Sequence, residues 1–165
     1  MKKAGDILYK AECVVAGFAF LVMVGVIVFN VIARYIMHSS FAWAEEISYL
    51  GFNWAVFFGI CVVYRNQGLI SIDVLVDHLP KKVQNVVQIA TFAIVGLTNI
   101  ALVIWGVQLA MQGWARTTAA LAIPYFWMYV EIPIACFILM LYSFHNCYIC
   151  LRGGNVEAAA LEDRT

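Results

Sequence analysis

Ionisable groups embedded in apolar sequence are the first candidates for chemistry, and this chain has few of them. Glu131 lies inside a long apolar run. It falls seven residues past Pro124, about 10 Å along a helix at about 1.5 Å per residue. A lone charge at the centre of a membrane helix costs about 2.5–3.5 kcal/mol, so such a carboxylate has a donor or carries a proton. The chemistry it would support is proton coupling or the pairing of one helix with another. A second set gathers near the end of the first apolar run and the start of the next: Asn30, Arg34, Trp43, Glu45 and Glu46, with Asn53 two turns deeper. Arg34 can pair with Glu45 or Glu46 if a short turn brings the two ends together. The set reads as a polar docking surface for another subunit, or as an internal one. In the second case Arg34 snorkels and the two carboxylates complement a helix N-terminus.

The cysteines offer redox chemistry. Cys147 and Cys150 have the CxxC spacing of thiol–disulfide exchange. The remaining cysteines, Cys13, Cys61 and Cys136, have no such spacing, and a cysteine on a membrane helix also serves as a small hydrophobe. His38, His78 and His145 fall in three separate places and cannot form a facing pair of haem ligands. No phosphate-binding loop is present, so no ATP-driven step is expected. No catalytic residue, metal ligand or cofactor site is assigned.

The elements that must position these residues are membrane spans. Apolar residues make up 64% of the 165 residues and charged residues 12%, against about 45–50% and about 25% in soluble domains. Mean hydropathy is +0.87. Lys+Arg and Asp+Glu are 10 each, so no basic field for nucleic acid exists. Four runs reach the roughly 20 apolar residues that a spanning helix needs, at about 14–36, 43–63, 83–111 and 124–150. The first is too long for the hydrophobic part of a cleaved signal and reads as a retained anchor. Helix is forced, because lipid offers no partner to backbone polar groups.

The expected fold is therefore an all-α integral membrane protein with four transmembrane helices. Residues 1–152 form a single domain and 153–165 a polar tail. Ile72, Leu75, Val76 and Leu79 at i, i+3, i+4 and i+7 predict a short amphipathic interfacial helix between spans two and three, ended by Pro80. A similar lead-in helix is expected over Ile7–Glu12. Lys2, Lys3, Lys10, Arg65, Lys81, Lys82, Arg152 and Arg164 fall on one side, and Arg34 and Arg116 on the other. That bias predicts both termini in the cytoplasm. Gly51, Ala55 and Gly59 form a small-xxx-small stripe for close helix packing, inside the chain or against a partner. No span is broken by paired Gly or Pro and no repeat is visible, so a self-contained transport site is not expected.

Read in order, the landmarks form a pattern. Asn30-Val31-Ile32-Ala33-Arg34-Tyr35 ends span one, and Phe41-Ala42-Trp43-Ala44-Glu45-Glu46 opens span two. Gly59, then Gly68-Leu69-Ile70-Ser71-Ile72-Asp73, then Leu79-Pro80 follow, and span four carries Ile123-Pro124, Tyr129 and Ile132-Pro133. This resembles the small membrane subunit of tripartite ATP-independent periplasmic (TRAP) transporters, the DctQ-like family, over nearly the whole chain. The family often has histidine where Leu69 stands; that position is inferred to be dispensable. The resemblance implies a bacterial inner-membrane protein that performs no chemistry. It implies a heterodimer with a large membrane subunit, which it scaffolds for sodium-coupled uptake. The substrate, delivered by a periplasmic binding protein, would be an organic acid such as a dicarboxylate or a sialic acid. The outer surface around Arg34, Trp43, Glu45 and Glu46 would help to receive that binding protein.

Two alternatives remain at this level. One is a DsbB-like membrane thiol/quinone redox enzyme using Cys147 and Cys150, although the predicted orientation places that pair on the reducing side. The other is a small self-sufficient multidrug exporter coupled through Glu131. Such exporters carry their essential carboxylate in the first helix, where the span 14–36 has none.

Overall fold

The computed structural model describes residues 2–36, 38–66 and 81–151. All four expected runs are helical, and four helices are long and apolar enough to cross a membrane. Helix α1 covers Lys2–Ile36, α2 Ala42–Arg65 and α3 Lys81–Gln112, which ends in a 3-10 turn at Gly113–Ala115. A four-residue helix α4, Phe126–Tyr129, leads into α5, Glu131–Leu151. The expected interfacial helix over Ile72–Leu79, the residue Leu69 and the tail beyond Leu151 lie outside the described residues.

Two boundaries differ from expectation for physical reasons. The first helix begins at Lys2, not near Val14, and absorbs the separate lead-in helix expected over Ile7–Glu12. No proline interrupts that stretch, and its polar residues find partners on other helices. The fourth span starts as a short helix and restarts at Glu131. Pro133 has no N–H to give to the carbonyl of Tyr129, so the i to i−4 ladder cannot run through this point. Pro133 is instead tolerated in the first turn of α5, where those N–H groups lack intrahelical acceptors in any case.

Packing proceeds in pairs. Helix α1 lies along α2, α3 lies along α5, and α2 joins α5 to unite the pairs. Gly51 allows the first contact: a Cβ there would stand 3.0 Å from the Ala19 carbonyl oxygen and 3.1 Å from Met23 Cβ. Gly106 does the same between α3 and α5, where a Cβ would meet Pro133 at 3.2 Å. The central contact contains Phe58, Cys61, Ala135 and Ile138, all buried. Most large apolar side chains face outward, including Phe18, Leu21, Ile94, Leu97 and Phe137. In water that surface would be untenable; in a bilayer it is solvated.

Candidate functional site

Because the helices alternate in direction, the bundle has a hairpin end and an opposite end, where α1 and α3 start and α2 and α5 finish. At the hairpin end, the turn between α1 and α2 passes through His38 at φ 51°. The Asn30 side-chain oxygen accepts from the Phe41 backbone N–H at 3.0 Å, which fixes the residue that precedes α2. Phe29, Phe41 and Trp43 form a ring cluster with centroids about 6 Å apart. Asn30 and Trp43 thus build the hairpin itself.

Glu46 has a specific partner. Its two oxygens accept from the backbone N–H groups of Ala120 and Leu121 at 2.7 and 2.9 Å. Those donors form the tip of a small hairpin between α3 and α4. Thr117 pairs with Pro124, Tyr125 N–H donates to Arg116 at 3.0 Å, and Thr118 N–H donates to Ile123 at 2.9 Å. The tip turns at Ala122, φ 54°. The expected ion pair across the first hairpin does not form among the described residues. Arg34 and Glu45 are exposed, and Glu46 is held by backbone amides 74 and 75 positions away.

Below this end, Trp54 donates its indole N–H to the Trp127 carbonyl at 3.2 Å, linking α2 to α4. Glu131 is fully buried at the start of α5, and neither carboxylate oxygen has a hydrogen-bond partner among the described residues. A helix N-terminus favours negative charge, and the break before Pro133 creates such a terminus inside the bundle. Asn53 and Ala55 are half-buried on α2. The small-residue stripe divides: Gly51 is consumed by α1, whereas Gly59 has nothing within 4 Å of its virtual Cβ.

The opposite end carries a polar cluster that the sequence reading did not assemble. Arg65, at the end of α2, binds Asp6 at 2.9 Å and donates to the Gly5 carbonyl. Its guanidinium lies 4.9 Å from the Tyr9 ring centroid and 6.0 Å from that of Tyr142. Asn66 donates to the Tyr9 hydroxyl at 3.1 Å. Tyr142 on α5 donates to Glu12 at 2.9 Å, and Glu12 is 1% exposed. Tyr64 and Ser143 share a 2.7 Å hydroxyl contact between α2 and α5. Glu12 corrects the expectation that the first helix has no buried carboxylate. One of its oxygens accepts from Tyr142, which ties α1 to α5, and the other has no hydrogen-bond partner among the described residues. The signal lay in the 6, 9, 12 spacing of Asp6, Tyr9 and Glu12, one face of a helix. In an antiparallel bundle that face meets the ends of spans two and four.

Nothing here resembles a reaction centre. All five cysteines are free thiols, and Cys150 sits 3.8 Å from the Gln88 side-chain oxygen. No cluster of three metal-ligating side chains occurs among the described residues. Ser48, Thr91, Thr98 and Asn99 bond back to carbonyls of their own helices, and the bonds of Asn30, Glu46, Trp54, Arg65 and Tyr142 join one helix or loop to another, which is structural work.

The comparisons with known proteins agree in kind. A family model described as "Tripartite ATP-independent periplasmic transporters, DctQ component" matches residues 23–153. The chain is 24% identical over 149 residues to a putative TRAP transporter small permease protein of Haemophilus influenzae, covering 88% of this chain and 90% of that one. It is 30% identical over 139 residues to the isethionate TRAP transporter permease protein DctMQ of Oleidesulfovibrio alaskensis. It is 24% identical over 135 residues to the sialic acid TRAP transporter permease protein SiaT of H. influenzae. In those two cases the match covers 79% and 82% of this chain but only 21% and 22% of the relative, so the chain spans about a fifth of their length. Membership of a transporter component family removes the redox-enzyme alternative, and with it the CxxC reading of Cys147 and Cys150. The chain belongs to the DctQ component family, the small permease components of TRAP transporters.

Proposed function

We propose that this chain is a rigid, non-transporting block that braces a large permease subunit in the bacterial inner membrane. The large subunit would carry an organic acid inward with sodium, after a periplasmic binding protein delivers it. The observation that carries this proposal is the division of polar and apolar groups. Asn30 and Glu46 at the hairpin end, and Asp6, Glu12, Arg65 and Asn66 at the other, are spent on tying the bundle's own elements together, while the outward faces are largely apolar. Such a block has little polar surface to offer a substrate and much apolar surface to offer another membrane protein. Two relatives hold the matching segment within a much longer permease chain, which supports stable attachment to a large partner. A wider fixed base resists tilting when a neighbouring domain moves through the bilayer.

Both termini are proposed to face the cytoplasm, because eight of the ten Lys and Arg residues lie in segments on that side. The polar hairpin end would then face the periplasm and the incoming binding protein, with Arg34, Trp43 and Glu45 among the residues there. In cells supplied with all three components, a labelled organic acid should accumulate only with sodium outside. Deletion of this chain should abolish that uptake. Affinity purification in mild detergent should retain a large polytopic subunit at one to one. Undiminished uptake without this chain, or purification of the chain alone, would overturn the bracing role.

A further inference from the structure

One group at the hairpin end is left unexplained by the bracing role. Arg116 is exposed, and its guanidinium makes no hydrogen bond or ion pair with any described residue. Its backbone, by contrast, is fixed. Its N–H donates to Gly113, and its carbonyl accepts from Tyr125 within the small hairpin. Arg116, Thr117, Tyr125 and Tyr129 together line an open surface groove of about 490 Å³. The Tyr125 and Tyr129 rings stack at 6.0 Å. The lining combines a fork of guanidinium donors with three hydroxyl-bearing side chains and lacks any carboxylate, which is the composition of an oxyanion site.

The depth of the groove selects the source of that anion. Trp114 and Trp127 are both exposed, at 53% and 49%, and each is two residues from a lining residue. Exposed tryptophans near the ends of spans sit at headgroup level. The groove therefore opens where phospholipid phosphates lie, flanked by indole rings suited to the upper acyl chain. Glu46 contributes at one remove: by gripping Ala120 and Leu121 it holds the hairpin that presents Arg116.

We propose that Arg116, Thr117, Tyr125 and Tyr129 form a binding site for the phosphate of a phospholipid headgroup in the leaflet at the hairpin end. Arg116 makes the charged contact, and Glu46 acts as a positioning residue. The test is native mass spectrometry of the chain with its large subunit, loaded with phosphatidylglycerol and then stripped by increasing detergent. The wild type should hold one more lipid than Arg116→Ala, with about tenfold weaker retention in the variant. Arg116→Lys should fall between them, because lysine keeps the charge and loses the fork. Glu46→Ala should also weaken retention. Arg34→Ala, which removes an exposed arginine from the same end, should leave it unchanged. Equal retention by wild type and Arg116→Ala would overturn the site. So would an equal loss in Arg34→Ala, which would reduce the effect to surface charge. If lipid retention is unchanged but Arg116→Ala no longer recruits the soluble binding protein, the groove docks protein instead and the lipid assignment is wrong.

Discussion

At the scale of single residues, burial separates carboxylates that look alike in sequence. Glu45 and Glu46 are neighbours, yet one is exposed and the other anchors a loop. No sequence signal foretold this, because the donors to Glu46 are backbone N–H groups, and every residue but proline has one. Glu131 was visible as a charge within an apolar run, but its lack of a partner was not. A buried polar group without partners carries its full desolvation penalty. Glu131→Met removes the unpartnered polar atoms and roughly keeps the volume. It is expected to stabilise the detergent-solubilised protein by about 1–3 kcal/mol, read as a higher unfolding temperature. A lower unfolding temperature would show that a donor on another chain satisfies the carboxylate.

At the scale of elements, hydropathy located the spans because lipid leaves the backbone no choice but helix. It failed where charges sit inside a helix. Hydropathy alone starts the first span near Val14, because Asp6, Lys10 and Glu12 lower the local value, whereas Arg65 and Tyr142 make Asp6 and Glu12 tolerable from a distance. The break before Pro133 follows from proline chemistry: the carbonyl four residues back, that of Tyr129, gets no N–H, and α4 ends at that residue. Close packing of α1 on α2 rests on the absence of one methyl group. Gly51→Ala places a Cβ 3.0 Å from a backbone oxygen that cannot rotate away, so the helices must separate. A destabilisation of about 1–3 kcal/mol is expected, measured by thermal unfolding. Gly59→Ala, with open space around it, should be neutral or gain slightly from helix propensity.

At the scale of the whole molecule, the two helix pairs are joined by α2 against α5 and by the polar cluster around Arg65. That residue touches α1 through Asp6, Gly5 and Tyr9, and stands over the Tyr142 ring of α5. Arg65→Ala should cost about 3 kcal/mol. That is the low end for breaking a buried pair, because Asp6 is 44% exposed and water screens it. Thermal unfolding checks this, with Arg34→Ala expected to have almost no effect. A match between the two variants would mean that the cluster does not unite the bundle.

Helix α1 has 35 residues, about 52 Å at about 1.5 Å per residue. A bilayer with its headgroup layers is about 40–45 Å thick. From Asp6 to Arg34 is 28 residues, 34 minus 6, or about 42 Å along the axis. The two charged positions are thus separated by one membrane thickness. Asp6 is moored by Arg65, and Arg34 stands free at the far face. The hydrocarbon core is about 30 Å thick, so either one would have to enter it if the helix slid along its axis by more than about 6 Å. The charges act as a pair of flanges that set how deep the chain rides and keep it from being dragged when a neighbour moves.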